Sequence, residues 1–215
     1  MYPGPFRLLA ACLTLASSSA LAEDTELGPD YADAPELRVI EGVPRGKVHE
    51  FTMKSSESRI YKGIAKNQKG TVPYERKVWV YVPQQLDVEK PAPFIVVQDG
   101  GWYRGDLPKV LDNLIHEKRV PAMAAILLDS GGGDAQGSQR GLEYDTVSDV
   151  YASFVEKEAL PRVEKECGIR LTRDPEARAT MGGSSGAAAA FTMAWFRPDL
   201  YRRVLSYSGT YVNQQ

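Results

Sequence analysis

Histidine and cysteine are scarce in this sequence, two of each in 215 residues. His49 and His116 lie far apart, and with so few thiols they make no recognisable ligand set for a metal, so neither a metal nor another cofactor is expected. A basic excess is missing too. Lys and Arg number 26 against 28 Asp and Glu, a net charge of −2, which argues against a nucleic-acid partner. Beyond the N-terminus no apolar run reaches the ~18 residues of a membrane span. Glycine and proline, at 19 and 14, are too few for a collagen-like or disordered chain. There is no repeat and no low-complexity block.

What is present is 43% apolar residues, enough for one sizeable core in one domain or two small ones. Residues 1–22 read as a secretory signal. Arg7 is the only charge, an apolar stretch follows from Leu8 to Ala16, and Ala20-Leu21-Ala22 supplies the small-x-small cleavage pattern. Cleavage after Ala22 and a secreted or periplasmic location are expected. Losing Arg7 and no acid would take the net charge from −2 to −3. Cys12 would go as well, leaving Cys167 as a lone thiol at a helix end, read as an ordinary half-buried cysteine rather than a reactive one.

Residues 23–50 read as an extended lead-in, with the folded domain occupying 51–215. From there strands and helices alternate. Residues 76–82 (RKVWVYV) alternate polar and apolar as a half-buried strand does. The continuous apolar runs 94–97 (FIVV) and 123–128 (MAAILL) suit strands covered on both faces. Residues 177–181 and 204–207 are further strands. Helices are expected over 108–119, 146–166 (kinked by Pro161) and 185–196. This alternation means an α/β fold, a mainly parallel sheet with helices on both faces.

One motif carries chemistry. Gly182-Gly183-Ser184-Ser185-Gly186 fits G-x-S-x-G, and a strand precedes it while a helix follows at once. That context is a nucleophile elbow, whose strained turn holds the serine clear of the sheet and needs glycines where side chains would collide. Ser184 is the candidate nucleophile. The Ser185 N–H, at the start of the helix, is the first oxyanion donor, and the Gly101 N–H, in the loop after FIVV, is the second. Trp102 and Tyr103 could wall an acyl or aryl pocket, or simply pack in the core.

Tyr81-Val82-Pro83, VVQDGGWY, DNLI, RGLEYDTVSDVYASFVEKEALPRVE and GGSSGAAAAFTMAWFRPDLYRRVLSYSG occur in that order. Together, over about residues 74–211, they resemble the enterochelin-esterase and esterase-D-type α/β-hydrolases, in particular a secreted bacterial branch. The resemblance implies an α/β-hydrolase fold that cleaves carboxylic esters without a cofactor. Substrates in that family include siderophore esters, feruloyl or acetyl groups on polysaccharides, and S-formylglutathione. Ser184, Gly101 and Ser185 carry over in the roles above. Arg140, Glu143 and Tyr144 match an R-x-x-E-Y segment, with either a substrate-pocket or loop-fixing role or an internal salt bridge.

The family order is serine, then acid, then histidine, yet no histidine follows Ser184 and no acid follows Asp199. The chain therefore holds the nucleophile half of a hydrolase. The expectation is a fragment that lacks the last strands and helices and is inactive alone; the alternative is a non-catalytic binding module or a truncated product. Oligomeric state is not legible.

Overall fold

The computed structural model describes residues 32–64, 70–133 and 137–211. Residues 1–31, with the signal and Cys12, lie outside the described set. From Ala34 onward the chain forms one unit.

Six strands make one sheet: β1 (Lys47–Lys54), β2 (Glu75–Val82), β3 (Phe94–Gln98), β4 (Ala124–Leu128), β5 (Arg178–Gly183) and β6 (Arg203–Tyr207). Their order is β1-β2-β4-β3-β5-β6. β1 pairs antiparallel with β2, and β2 with β4; the pairs β4–β3, β3–β5 and β5–β6 are parallel. The sheet is mainly parallel, as expected.

Side chains alternate between two cores with the period of two that a pleated strand imposes. Val78, Val80, Phe94, Val96, Ala124, Ile126 and Leu128 face one; Trp79, Tyr81, Ile95, Val97, Ala125 and Leu127 face the other. The first is covered by α4 (Val150–Phe154), α5 (Leu160–Cys167) and α6 (Ser185–Phe196), through residues such as Tyr151, Phe154, Val163 and Met193. The second is covered by α2 (Leu107–His116), through Leu111 and Ile115. Coverage on both faces explains why β3 and β4 are apolar at nearly every position.

α6 lies close to the sheet because its inner residues, Gly186 through Ala190, are small and buried. Thr180 Oγ1 donates to the Ala190 carbonyl at 2.9 Å, and Ser206 Oγ to that of Ala187 at 3.1 Å, tying the helix to β5 and β6.

Three elements differ from the sequence expectation. The boundary at residue 50/51 falls inside β1, whose eight residues pair fully with β2 from Lys47↔Val82 to Lys54↔Glu75. Its mixed polar sequence, KVHEFTMK, hid an edge strand that needs only one apolar face. The lead-in is also not wholly extended: Pro35–Leu37 form a 3-10 turn, and Asn113 Nδ2 donates to the carbonyls of Glu36 and Arg38. Finally, the long helix begins at Val150 and passes through a π turn, Val155–Ala159, rather than a plain kink. Pro161 has no N–H to donate within the helix, and the Leu160 N–H reaches back five residues to Val155 O.

Candidate active site

β5 delivers the chain to Ser184 and α6 begins with the next residue. Ser184 has φ 53° and ψ −126°, a conformation L residues rarely adopt. Its N–H donates to the Tyr207 carbonyl of β6 at 3.0 Å, and the residue is exposed while its flanks are not. The glycines are explained by contact. A β-carbon on Gly182 would stand 2.3 Å from the backbone carbonyl atoms of Gly186. One on Gly186 would meet Asp99 Oδ2 at 3.0 Å and the Gln98 β-carbon at 3.2 Å. The turn has the strand–turn–helix geometry expected of a nucleophile elbow, and Ser185 sits in the first turn of α6, where an N–H has no intrahelical acceptor.

Ser184 opens onto a cleft of about 630 Å³ lined by Asp99, Gly101, Trp102, Tyr103, Asp129, Ser130, Gly132, Gly133, Arg140, Gly183, Tyr207 and Ser208. It lies at the carboxyl ends of β3, β4 and β5, where open α/β sheets bind ligands. Trp102 and Tyr103 belong to α1 (Gly100–Tyr103), and Trp102 is 89% exposed, so it walls the cleft instead of packing in the core.

A solved enterochelin esterase from Shigella flexneri is 25% identical, with a TM-score of 0.54 over 64% of this chain and 33% of that chain. The Shigella flexneri enterobactin esterase in the presence of enterobactin is 21% identical, TM-score 0.59, over 78% of this chain and 39% of its own. A ferulic acid esterase from the anaerobic fungus Anaeromyces mucronatus is 20% identical, TM-score 0.54, over 82% and 62%. No curated protein matches the sequence. The family model described as Esterase matches residues 70–214. The chain belongs to this esterase family. Its fold is that of the α/β-hydrolases, and it spans about a third of the first enterochelin esterase it matches.

In this esterase-family chain the Arg140 guanidinium binds Asp99 through two hydrogen bonds, Nε to Oδ1 at 3.0 Å and Nη2 to Oδ2 at 2.8 Å. Asp99 itself is left-handed (φ 55°, ψ 47°) and stands at the N-cap position of α1, so Arg140 braces the turn that leads into Gly101. Arg140 comes from α3 (Gln139–Tyr144), a short helix capped by Ser138 that the sequence did not disclose.

Glu143 does not line the cleft, which corrects the substrate-binding expectation. It is buried beneath the site and holds Arg76 by Nη2–Oε1 at 2.6 Å and Nη1–Oε2 at 2.8 Å. Gln139, Tyr74 and the Gly131 N–H also donate to it, and Arg76 Nη1 reaches the Asp129 carbonyl at 3.1 Å. The pair thus fastens the loop from Asp129 to Gly131 to the floor of the site. Arg140 lines the cleft, whereas Glu143, three residues later on the same short helix, is buried on Arg76.

The structure brings Ser184, Gly101, Trp102, Tyr103 and Arg140 to one cleft. It also adds Asp99, Asp129 and Tyr207, which sequence reasoning did not single out. The available signal was position: Asp99 and Asp129 each follow directly the carboxyl end of a strand. Gly101 does line the cleft, but its N–H donates to Asp129 Oδ1 at 2.8 Å. No histidine lines the cleft among the described residues. His49 lies on β1, at the far edge of the sheet from β5, and His116 is exposed at the end of α2.

Proposed function

We propose that this chain carries the nucleophile of an exported serine carboxylic-ester hydrolase. The observation that carries the reading is the backbone of Ser184, held at φ 53° and ψ −126° on a strand–helix turn. Such strain persists only where the surroundings over-determine it, and it aims the hydroxyl into the cleft. Ser184 Oγ attacks the ester carbonyl carbon, the Ser185 N–H receives the oxyanion, the alcohol leaves, and water clears the acyl-enzyme. A general base takes the Ser184 proton and returns it to the departing alcohol. Trp102, Tyr103 and Tyr207 offer aromatic faces to an acyl or aryl group. Siderophore, feruloyl and acetyl-polysaccharide esters are the proposed substrates, the first two in line with the enterobactin and ferulic acid named for the structural neighbours. Export rests on the signal pattern of residues 1–22.

The test is hydrolysis of short p-nitrophenyl esters by the full gene product. Turnover should disappear in Ser184→Ala; turnover unchanged by that substitution rejects the reading.

A second reading, a module that binds an ester or sugar ligand without cleaving it, draws on the absence of a cleft-lining histidine among the described residues. Ligand affinity retained in Ser184→Ala, with no turnover in either form, would favour it.

A further inference from the structure

We propose that Asp129 competes with the substrate for the Gly101 N–H and, as a positioning residue, decides when that oxyanion donor is available. This rests on the assignment of Ser184 as nucleophile.

The geometry carries the inference. Asp129 Oδ1 accepts the Gly101 N–H at 2.8 Å. A β-carbon on Gly101 would stand 3.1 and 3.4 Å from the two carboxylate oxygens, so the whole carboxylate lies over that residue. Both residues line the cleft into which Ser184 opens. A hydrogen bond from an amide to an ionised acceptor is stronger than one to a neutral carbonyl, so a substrate ester competes poorly for this donor. A developing oxyanion would also stand beside a second negative charge.

No cation relieves that charge by direct pairing among the described residues. From β2, Arg76 is committed to Glu143 and reaches Asp129 only at its backbone carbonyl; Lys77 contributes its carbonyl to the Asp129 N–H and its ammonium to Glu50. From the end of α1, Arg104 lies over the Trp79 ring, 5.2 Å from its centroid. From α3, Arg140 binds Asp99, and Asp99 presents another carboxylate from the β3–α1 turn. Burial and the Asp99 charge hold the Asp129 carboxyl above the ordinary aspartate range, against the opposing pull of the Gly101 N–H, Arg104 and Arg76. Taking up one proton from solvent removes the negative charge and weakens the claim on the Gly101 N–H.

The test uses the full chain labelled with ¹⁵N-glycine, with the Gly101 amide resonance identified by its loss in Gly101→Ala. Between pH 3.5 and 8 that resonance should titrate, moving downfield as Asp129 ionises, and the titration should vanish in Asp129→Asn. A Gly101 amide that stays fixed across this range in the folded protein overturns the proposal. Phenylboronic acid, which forms a tetrahedral anion on a serine hydroxyl, should bind Asp129→Asn and Asp129→Ala about tenfold more tightly than the parent at pH 7, the expected gain from removing one charged competitor. If Asp129 were only an anchor for the loop, Asp129→Ala would bind more weakly, which also overturns the proposal. Boronate binding indifferent to Ser184→Ala would instead refute the nucleophile assignment, and the Gly101 titration would still decide the role of Asp129.

Discussion

Gly182 and Gly186 meet backbone to backbone across the elbow. A β-carbon on Gly182 would come within 2.3 Å of the Gly186 carbonyl carbon and oxygen and 2.9 Å of the Ala187 nitrogen. These are main-chain atoms, so no side-chain rotation relieves the clash. Gly182→Ala must push α6 away from β5 and is expected to cost roughly 1–3 kcal/mol, as overpacking does in a tight interior. Because the displaced helix starts at Ser185, turnover should fall further than stability. Urea denaturation and ester hydrolysis on the same preparation check this. Gly183→Ala is the control: its β-carbon would meet the Tyr103 hydroxyl at 3.1 Å, the far end of a side chain, and the Tyr207 carbonyl oxygen at an ordinary 3.9 Å.

Ser184 stores strain that a glycine there would release. A non-glycine residue in this region costs about 1–3 kcal/mol, while the added freedom of glycine in the unfolded chain takes back roughly 0.4–1 kcal/mol. The difference favours Ser184→Gly by about 1 kcal/mol. Ser184→Ala keeps the strain and should leave stability near that of the parent. Both should lack turnover. A thermal midpoint for Ser184→Gly at or below that of Ser184→Ala would show that the turn is not strained.

Legibility followed the strength of the local signal. β3 and β4 are short apolar runs bounded by turn residues, and β5, the elbow and α6 form a strand–turn–helix whose glycines are forced by contact, so all were readable. β1 was not, because an edge strand with one covered face needs few apolar residues and Lys47, Glu50 and Lys54 masked its pattern. α3 is six residues long with Gly141 inside it, too short for a helical period. The split between Arg140 and Glu143 was beyond sequence as well. The R-x-x-E-Y segment allowed either a pocket role or an internal salt bridge; both residues form internal salt bridges, and Arg140 alone also lines the cleft. The partner of Glu143 is Arg76, 67 positions earlier on β2, and nothing local to either residue links them. The hold of Asp129 on Gly101 likewise depends on which strands are neighbours.

Cys167 is half-buried at the end of α5, and Gly168 closes the helix in the left-handed conformation. Burial, together with the charge of Glu166, pushes its thiol up to about 11. The thiolate is the reacting species, so at pH 7.5 alkylation should run roughly a hundredfold slower in the folded protein than in urea. Iodoacetamide labelling followed by mass spectrometry of the Cys167 peptide reads this directly. Equal rates in the two states would make Cys167 an accessible, ordinary thiol.

The Arg76–Glu143 pair lets stability and site geometry be separated. Their side chains are 2% and 0% exposed, so each charge depends on the other. Glu143→Gln keeps the shape but leaves the Arg76 guanidinium buried without its counter-charge, which is expected to cost about 3–5 kcal/mol. Arg76→Met combined with Glu143→Leu removes both charges, and its stability should return most of the way to the parent, since apolar replacements of buried pairs are often neutral. Activity should not return with it. The double variant still lacks the bonds that hold the Asp129 carbonyl and the Gly131 N–H, so the loop beside Ser184 stays loose. Urea denaturation of the three variants gives the first comparison, and p-nitrophenyl ester hydrolysis by the same variants of the full gene product gives the second. Recovery of both stability and turnover in the double variant would mean that the pair holds the core and has no part in shaping the cleft.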